Sequence, residues 1–226
     1  MSSIDGLKGF RTLPAVDRGR IAAATREQRA DAGKTIFVER QPADTFWAVK
    51  EGLVHLVKHG AEGREIVLEV IPPGELFGAV VALENRPYPA SAVAAEDSVV
   101  WRMPAALARE LCLKYPTLRA AILDQMTSRL RGAHERMRSV ALERVEQRLA
   151  RMLLTLAEKI GQHKDRLTVL NVTRQELADM IGTTVESTIR ITSKWQQAGI
   201  VSSSRHQLGL TNPAALRRIA EGESAD

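Results

Sequence analysis

Cysteine is almost absent from this chain, and so are long apolar runs. The 226 residues include one cysteine, Cys112, which excludes an internal disulfide and an iron–sulphur cluster held by four cysteines of one chain. No run of about 18 apolar residues occurs, so no membrane-spanning helix is expected. The N-terminal segment MSSIDGLKGFRTL lacks the apolar core of a secretory signal. These absences predict a cytoplasmic protein that does not engage a membrane.

The sequence patterns that mark many enzymes are also missing. The chain has no paired carboxylates in a glycine-rich turn, no nucleophile elbow, and no His/Cys set at metal-binding spacing. His55 and His59 alone are too few for a cupin-type metal site. The chain is therefore predicted not to be an enzyme, and no dedicated metal site is expected.

Positive charge is divided unevenly along the sequence. Residues 1–126 contain 16 Lys and Arg against 16 Asp and Glu, whereas residues 127–226 contain 16 against 11. The whole net charge of +5 therefore lies in the C-terminal part, where it would help to neutralise nucleic-acid phosphates. A solvated charged surface is the alternative interpretation.

A β-rich segment extends from Gly33 to about Met103. Runs of β-branched and aromatic residues alternate with glycine and proline turn signals at roughly ten-residue intervals, which is typical of a compact all-β barrel or roll. The predicted strands are TIFV, TFWAV, LVHLV, EIVLEVI and SVVWRM. The third and fourth form a predicted hairpin with the loop HGAEG. The first thirty residues are predicted to be helical and solvent-facing.

A long helix is predicted to follow Pro116. Apolar residues recur in it at alternating three- and four-residue steps, which is a heptad seam. The seam consists of Leu123, Met126, Leu130, Ala133, Met137 and Val140. It could pack on the β-roll of its own chain. A helix of about 25 residues that links two domains favours pairing with a second copy instead, and we predict these six residues as a dimer interface.

Residues 173–201 predict two short helices joined by a glycine turn. Thr173 and Glu176 are spaced as a capping box, and Gly182 is a predicted left-handed cap. Thr183 and Glu186 predict a second capping box, for a helix that runs to Gly199. An ordinary helical hairpin is one interpretation. A turn of this length with a glycine also fits a helix-turn-helix, whose second helix enters the major groove of double-stranded DNA.

Three further signals flank this motif. RVEQRLARMLLTLAEKIG predicts an amphipathic helix that begins the C-terminal domain, and SSSRHQLGL predicts a β-hairpin wing. Asn212 and Pro213 predict the N-terminus of a last short helix, with proline at its first position.

The order and spacing of these segments resemble the CRP/FNR family of bacterial transcription regulators. The resemblance rests on Gly33, FWAVKEGLVHL, GREIVLEVIPPGELFG, RLARMLLTLA and TRQELADMIGTTVESTIR. It implies an α+β protein with an N-terminal cyclic-nucleotide-binding-like β-roll and N-terminal helices (1–115), a dimerisation helix (116–141) and a C-terminal winged helix-turn-helix DNA-binding domain (142–226).

The resemblance also implies a function. It points to a homodimeric DNA-binding transcription regulator that reads a palindromic operator under the control of an effector or cofactor in the β-roll. RNA polymerase is an implied further partner. The alternative is a small-molecule-binding module whose helical domain contacts protein rather than DNA.

The family pattern E-x-x-x-R maps onto Glu186 and Arg190. In it the arginine reads guanine and the glutamate accepts from cytosine, which the donor and acceptor pattern of the major groove allows. Apolar Val185 and Ile189 are expected to influence which bases are preferred beside that G·C pair. A surface salt bridge between Glu186 and Arg190 is the alternative. Residues expected at phosphates are Arg174, Thr184, Ser187, Thr188, Lys194 and Arg205, for which solvated surface is an equal alternative.

The resemblance places the phosphate-binding cassette of the family at GELFGAVVALENRPYPASAVA. Cyclic-nucleotide binders need a glutamate after the F-G and an arginine near the end of the cassette. Ala79 and Pro89-Ala90 occupy those places, and Arg86 lies three residues too early. A buried phosphate without a cation would be costly, so cyclic AMP is disfavoured. The single cysteine likewise disfavours the iron–sulphur cluster of FNR proteins.

The predicted effector pocket therefore lacks phosphate chemistry. It comprises Phe77, Gly78, Ala79, Pro89, Ala90, Ser91, Ala133 and His134. Some family members with similar cassettes resemble haem-dependent gas sensors, so His134 is a candidate haem ligand, with His55 and His59 as weaker candidates. A surface or packing histidine is the favoured alternative for all three. Cys112 is interpreted as packing rather than as a redox sensor.

Overall fold

The computed structural model describes residues 7, 9–60, 65–164, 167–204 and 207–223. The chain divides into two compact units, Met1–Arg131 and Gly132–Asp226, and the division falls within one long helix. Over the described ranges, no helix combines the length and apolarity needed to cross a membrane.

The first unit is a β-roll with flanking helices. Its elements are α1 (Ala15–Ala24), β1 (Arg26–Ala30), β2 (Thr35–Phe37), β3 (Thr45–Glu51), β4 (Val54–His59), β5 (Glu65–Ile71), β6 (Leu76–Phe77), α2 (Ala79–Leu83), β7 (Ser91–Ala94), β8 (Ser98–Pro104), α3 (Ala105–Lys114) and the first part of α4 (Pro116–Leu142). All five predicted strands are present, and the predicted roll is confirmed.

Two antiparallel four-stranded sheets form the roll, in the orders β1-β8-β3-β6 and β2-β7-β4-β5. The predicted β4–β5 hairpin is confirmed by a register that pairs Val54 with Ile71. Residues 61–64 of its loop lie outside the described residues. Aromatic rings fill the space between the sheets: the Phe37 ring stacks on Tyr88 with centroids 3.8 Å apart, and Trp47 Nε1 donates to the Tyr88 hydroxyl at 3.1 Å.

The prediction of a solvent-facing helical segment for the first thirty residues is right only for part of them, in α1. Helix α1 has only ten residues, and residues 26–30 form strand β1 on β8. Leu7, Phe10 and Leu13 are buried in the core. The sequence of β1, REQRA, contains no β-branched or aromatic residue, so the edge of β8 rather than strand propensity decides its conformation.

A buried carboxylate attaches α1 to the end of α3. Asp17 is 2% exposed and accepts hydrogen bonds from Lys114 Nζ at 2.8 Å, the Tyr115 hydroxyl at 2.5 Å and Arg20 Nη1 at 3.0 Å. These bonds, that from Lys114 above all, hold the pKa of Asp17 well below its usual range. The same arginine binds both carboxylate oxygens of Glu110.

The second unit contains the end of α4 and a winged helix-turn-helix. Its further elements are α5 (Val145–Ile160), β9 (Gln162–Lys164), β10 (Leu167–Asn171), α6 (Arg174–Ile181), α7 (Val185–Gln197), β11 (Val201–Ser203), β12 (Gln207–Leu210) and α8 (Pro213–Glu221). The predicted wing is confirmed as β11–β12. It belongs to a sheet of order β11-β12-β10-β9, and the β9–β10 hairpin was not predicted.

Local signals fix several helix ends of this unit. The Asn212 side chain accepts from Ala215 N at 3.0 Å, and Pro213 is the first residue of α8, as predicted. The core consists of side chains that are less than 2% exposed, mainly Leu149, Leu153, Leu156, Leu170, Leu177, Trp195 and Leu216.

The long helix α4 is present as predicted and keeps most of its seam in solvent. Leu123, Leu130, Met137 and Val140 are 56–70% exposed, and Met126 and Ala133 are half-buried. The described residues of the chain therefore leave most of this apolar face uncovered.

Candidate nucleic-acid interface and ligand cavity

The helix-turn-helix begins as its sequence predicts. Thr173 Oγ1 accepts from Glu176 N at 3.1 Å, and Thr173 N donates to a Glu176 carboxylate oxygen at 2.7 Å. This capping box satisfies backbone donors that α6 would otherwise leave free. Gly182 ends α6 at φ +65°, in the left-handed region. A Cβ atom added at Gly182 would meet no other atom within 4 Å. The backbone conformation, and not crowding, therefore favours glycine here.

The second capping box, predicted at Thr183 and Glu186, is wrong. The N-cap of α7 is Thr184, whose hydroxyl accepts from Ser187 N at 3.3 Å. Thr183 belongs to the turn, because its N–H donates to Ala178 O at 3.0 Å and completes the end of α6. The turn between α6 and α7 is thus one residue longer than the predicted capping box at Thr183 and Glu186 would allow. Helix α7 also ends at Gln197 rather than Gly199.

Helix α7 buries one side and presents the other. The buried side consists of Thr188, Ile191, Thr192 and Trp195. The predicted base-reading residues, Val185, Glu186, Ile189 and Arg190, lie in the first two turns; we call them the reading face. Glu186 and Arg190 are exposed and Ile189 is 48% exposed, whereas Val185 is half-buried.

Glu186 and Arg190 are free to contact an external partner. Neither side chain forms an ion pair or hydrogen bond with another residue that the structure describes, so the alternative salt bridge between them is not formed. A carboxylate and a guanidinium on one exposed helix face can accept from cytosine N4 and donate to guanine O6 and N7.

The residues expected at phosphates fall into different environments. Thr188 is fully buried, and its hydroxyl donates to Thr184 O at 3.2 Å; its assignment as a phosphate contact is wrong, because it packs in the core. The Thr184 hydroxyl is 3.2 Å from Ser187 Oγ at the start of α7. Lys194 is exposed, with Nζ 3.6 Å from a Glu146 oxygen. Arg205 lies outside the described residues.

Arg174 is held differently from a freely solvated surface arginine. Its Nη2 donates to Ser203 Oγ of wing strand β11, and its Nη1 is buried with no hydrogen-bond partner among the described residues. Burial lowers the pKa of Arg174. The guanidinium therefore joins the start of α6 to the wing and retains one unused donor group.

A cavity of about 140 Å³ lies in the first unit. Four residues of the predicted pocket line it, namely Gly78, Ala79, Pro89 and Ala90. The other lining residues are Phe37, Leu56, Val80, Val81, Tyr88 and Arg129. Phe77 and Ser91 are not in the lining. Phe77 is fully buried and stacks on Phe37, and the Ser91 hydroxyl accepts from Glu39 N at 3.0 Å.

Sequence reasoning missed the cation of this cavity, Arg129 of α4. Its Nε is 2.9 Å from a Glu69 oxygen, its Nη2 is 3.7 Å from a Glu75 oxygen, and it also donates to Leu76 O. The residue lies about forty positions from the cassette, so only the tertiary fold brings them together. The guanidinium that borders this cavity is therefore already paired with carboxylates.

The small volume of this cavity and the pairing of Arg129 make it a poor match for a cyclic nucleotide, and the volume makes it a poor match for haem. A cyclic phosphate would meet an arginine already paired with two carboxylates, and burying its charge beside them would be unfavourable. The volume is also below the range of about 300–1,000 Å³ of cofactor-sized sites. Across the described residues, no group of three or more His, Cys, Asp and Glu is placed to hold a metal ion.

The remaining sensor residues are not gathered at this cavity. Ala133 and His134 belong to the second unit, where His134 is exposed on α4. His55 is buried on β4, and His59 Nδ1 is 3.5 Å from a Glu65 oxygen at the surface. Cys112 is buried, and burial raises the pKa of its thiol, which suits packing better than thiolate chemistry.

Two family models match the chain. Residues 27–115 match the cyclic nucleotide-binding domain, and residues 147–219 match the Crp-like helix-turn-helix domain. The transcriptional regulatory protein btr of Bordetella pertussis is 25% identical over 215 residues, which are 94% of this chain and 88% of that protein. The fumarate and nitrate reduction regulatory protein of Yersinia pestis is 25% identical over 197 residues, 86% of this chain and 78% of that protein.

Solved structures agree in fold. A transcriptional regulator of the CRP/FNR family from Thermus thermophilus superposes with a TM-score of 0.73 at 26% identity, and the match covers 88% of this chain and 100% of that one.

Proposed function

Because this chain belongs to the CRP/FNR family of DNA-binding transcription regulators, we propose that it acts as a homodimer that reads a palindromic operator under the control of an effector in its β-roll. The relatives that it resembles are transcription regulators rather than enzymes. RNA polymerase is part of the proposal as the partner through which such a regulator acts.

The observation that carries the proposal is the reading face of α7. Glu186 and Arg190 lie four residues apart on an exposed helix surface and have no partner among the described residues. The helix that presents them is fixed by its buried side, including a Trp195 indole that donates to a Glu146 oxygen at 3.0 Å. A rigid helix with unpaired donors and acceptors is suited to the major groove.

The exposed seam of α4 supports the homodimer. Four large apolar side chains more than half exposed on one helix are unusual for a face that remains in water. A heptad spacing buries such side chains best against an identical helix. Two copies would then present two reading faces to successive major grooves.

The cavity supports a small and largely apolar effector. Apart from Arg129, its lining is aliphatic or aromatic, and the Tyr88 hydroxyl is directed to Thr45 O and not to the cavity. The carboxylates beside Arg129 disfavour an anion. On this basis cyclic AMP should leave the unfolding temperature of the protein unchanged, and a stabilising shift at micromolar cyclic AMP would contradict the effector part of the proposal.

The DNA-reading part is tested by selection from random duplexes with the full-length chain. We expect an inverted repeat whose half-sites lie about one helical turn apart, because two symmetric reading faces must meet one side of the duplex. Binding should weaken steeply as salt rises. Selection of no repeat, with affinity that is insensitive to salt, would instead favour a module that contacts protein.

The dimer is tested by matched leucine substitutions. Leu130→Glu places a charge in the α4 seam, whereas Leu113→Glu places one at a leucine of α3 that is also solvent-exposed but lies outside the seam. Sedimentation should give a dimer for the wild type and Leu113→Glu, and a monomer for Leu130→Glu. A Leu130→Glu dimer would exclude the seam as the interface.

A further inference from the structure

The junction of α4 and α5 contains a dense set of polar contacts. The Glu143 side chain is 7% exposed and is bound by the Ser139 hydroxyl at 2.5 Å, Arg138 Nη2 at 3.0 Å and Arg151 Nη2 at 3.0 Å. Glu143 N also donates to Ser139 O at 2.9 Å, in the last turn of α4. The main chain of Glu143 is therefore held firmly in place.

One arginine of α5 connects this junction to the helix-turn-helix. Arg148 Nη1 donates to Glu143 O at 3.1 Å, while its Nε donates to Ile181 O at 3.2 Å and its Nη2 to Gly182 O at 3.5 Å. The carbonyls of Ile181 and Gly182 lie at the end of α6, where helix geometry leaves acceptors without intrahelical partners. A cation is also favoured at that end of a helix.

We propose that Arg148 is a positioning residue for DNA readout: its guanidinium fastens the helix-turn-helix turn, at Ile181 and Gly182, to the main chain of Glu143 at the α4–α5 junction. The inference rests on the proposed DNA-reading function and adds to it a residue that does not touch DNA.

The position of the turn determines the position of the reading face. Helix α7 starts with N-cap Thr184, two residues after Gly182, and Glu186 lies in its first turn. Gly182 has a φ of +65° with nothing close to its side-chain position, so packing around this residue does not fix the turn. The planar fork of Arg148 supplies three directed bonds from α5, and neither lysine nor an apolar side chain can reproduce that geometry.

The test compares two arginines of the same helix in the full-length chain. Arg148→Met removes the three bonds to the turn and the junction. Arg151→Met is the matched control: Arg151 lies about one turn further along α5, is also half-buried, and binds the Glu143 carboxylate and Ala220 O, so its loss disturbs the junction without removing a bond to the turn. Both variants lose one positive charge, so their general affinity for DNA should change equally.

The measured quantity is a ratio of dissociation constants. It compares the duplex that the wild type selects from a random library with a shuffled duplex of the same composition, at a temperature where circular dichroism shows each variant folded. We expect Arg148→Met to lower the ratio by about tenfold, the loss expected for one misaligned base contact, with the Kd for shuffled DNA matching that of Arg151→Met. Arg148→Lys, which keeps the charge without the fork, should also lose discrimination.

The outcomes separate the two proposals. If Arg148→Met and Arg148→Lys keep the wild-type ratio, or if Arg151→Met lowers it as much, the positioning role is overturned. If the wild type itself selects no duplex, the proposed DNA-reading function fails, and the positioning role fails with it.

Discussion

The four residues of the reading face lie within positions 185–190, about one and a half turns of a single helix, whereas the cavity lining comes from five separated segments of the chain. The first surface is largely exposed, and its two charged members, Glu186 and Arg190, are unpaired within the described residues. The second is partly open to solvent, mainly apolar, and shares some of its walls with the core of the β-roll. The comparison indicates that the proposed reading face can change with little effect on folding, whereas the stacked rings behind the cavity, Phe37, Phe77 and Tyr88, cannot be altered without changing the packing that supports the roll.

The largest effect that would test this contrast is expected at Phe77, a predicted pocket residue that the structure places in the core. Phe77→Ala should lower the free energy of unfolding by about 3–5 kcal/mol, because it leaves a cavity among stacked rings. Denaturant unfolding monitored by tryptophan fluorescence measures it. Val80→Ala is the control. Because Val80 lines the cavity but is partly exposed, this substitution should lower the free energy of unfolding by less. Undiminished stability of Phe77→Ala would place its ring in the ligand site instead.

The next effect concerns the reading face itself. Glu186→Ala and Arg190→Ala should each reduce discrimination at one base pair by about 1–3 kcal/mol, because each removes one base contact. Their free energies of unfolding should stay within about 0.5 kcal/mol of the wild type. Competition binding with single-base operator variants measures discrimination, with exposed Gln197→Ala as the control. Equal weakening on all sequences would reassign both residues to phosphates.

A smaller effect distinguishes the two threonines before α7. Thr184→Ala should lower the free energy of unfolding by about 1 kcal/mol, because the N-cap hydroxyl accepts from Ser187 N. Thr183→Ala should be nearly neutral, since its backbone, not its side chain, completes the turn. Urea unfolding of both variants provides the measurement, and the opposite order of losses would restore the capping box at Thr183.

The smallest effect is expected at Asp17, whose partners Arg20 and Lys114 are largely in solvent. Its pKa is held below the usual 3.8, so its ion pairs stabilise the fold above that pH and the stabilisation is lost as the pH falls further. Asp17→Asn should therefore be less stable than the wild type at pH 7, and the difference should shrink in acid. Urea unfolding at pH 7 and in acid measures this difference, with exposed Asp31→Asn as the control. A loss of stability in Asp17→Asn that does not depend on pH would exclude the ionic contribution.

Several local features of the second unit could be predicted from the sequence. The Thr173–Glu176 box, the Gly182 cap and the Asn212–Pro213 helix start all depend on residues within a few positions of one another. One local error, Thr183 for Thr184, arose because the end of α6 uses the Thr183 N–H that a capping box would have left free.

Most of the features that sequence reasoning missed depend on distant residues. Strand β1 exists because β8 offers it an edge, and Arg129 reaches the cavity from α4. In the sequence Thr188 has the pattern of a surface hydroxyl, but the packing of α7 buries it. Arg148 carries no motif that would mark it, because its partners in the turn are main-chain carbonyls more than thirty residues away.

The sequence by itself determined the five predicted strands of the roll, the heptad seam and several helix ends of the second unit, because turn chemistry, helix caps and hydrophobic periodicity act over a few residues. The tertiary structure alone decided which side chains line the cavity, which cation enters it with its two carboxylates, and how the helix-turn-helix turn is fastened to α5. Those outcomes depend on burial and on hydrogen-bond geometry between segments that are far apart in the chain, and no local pattern encodes either.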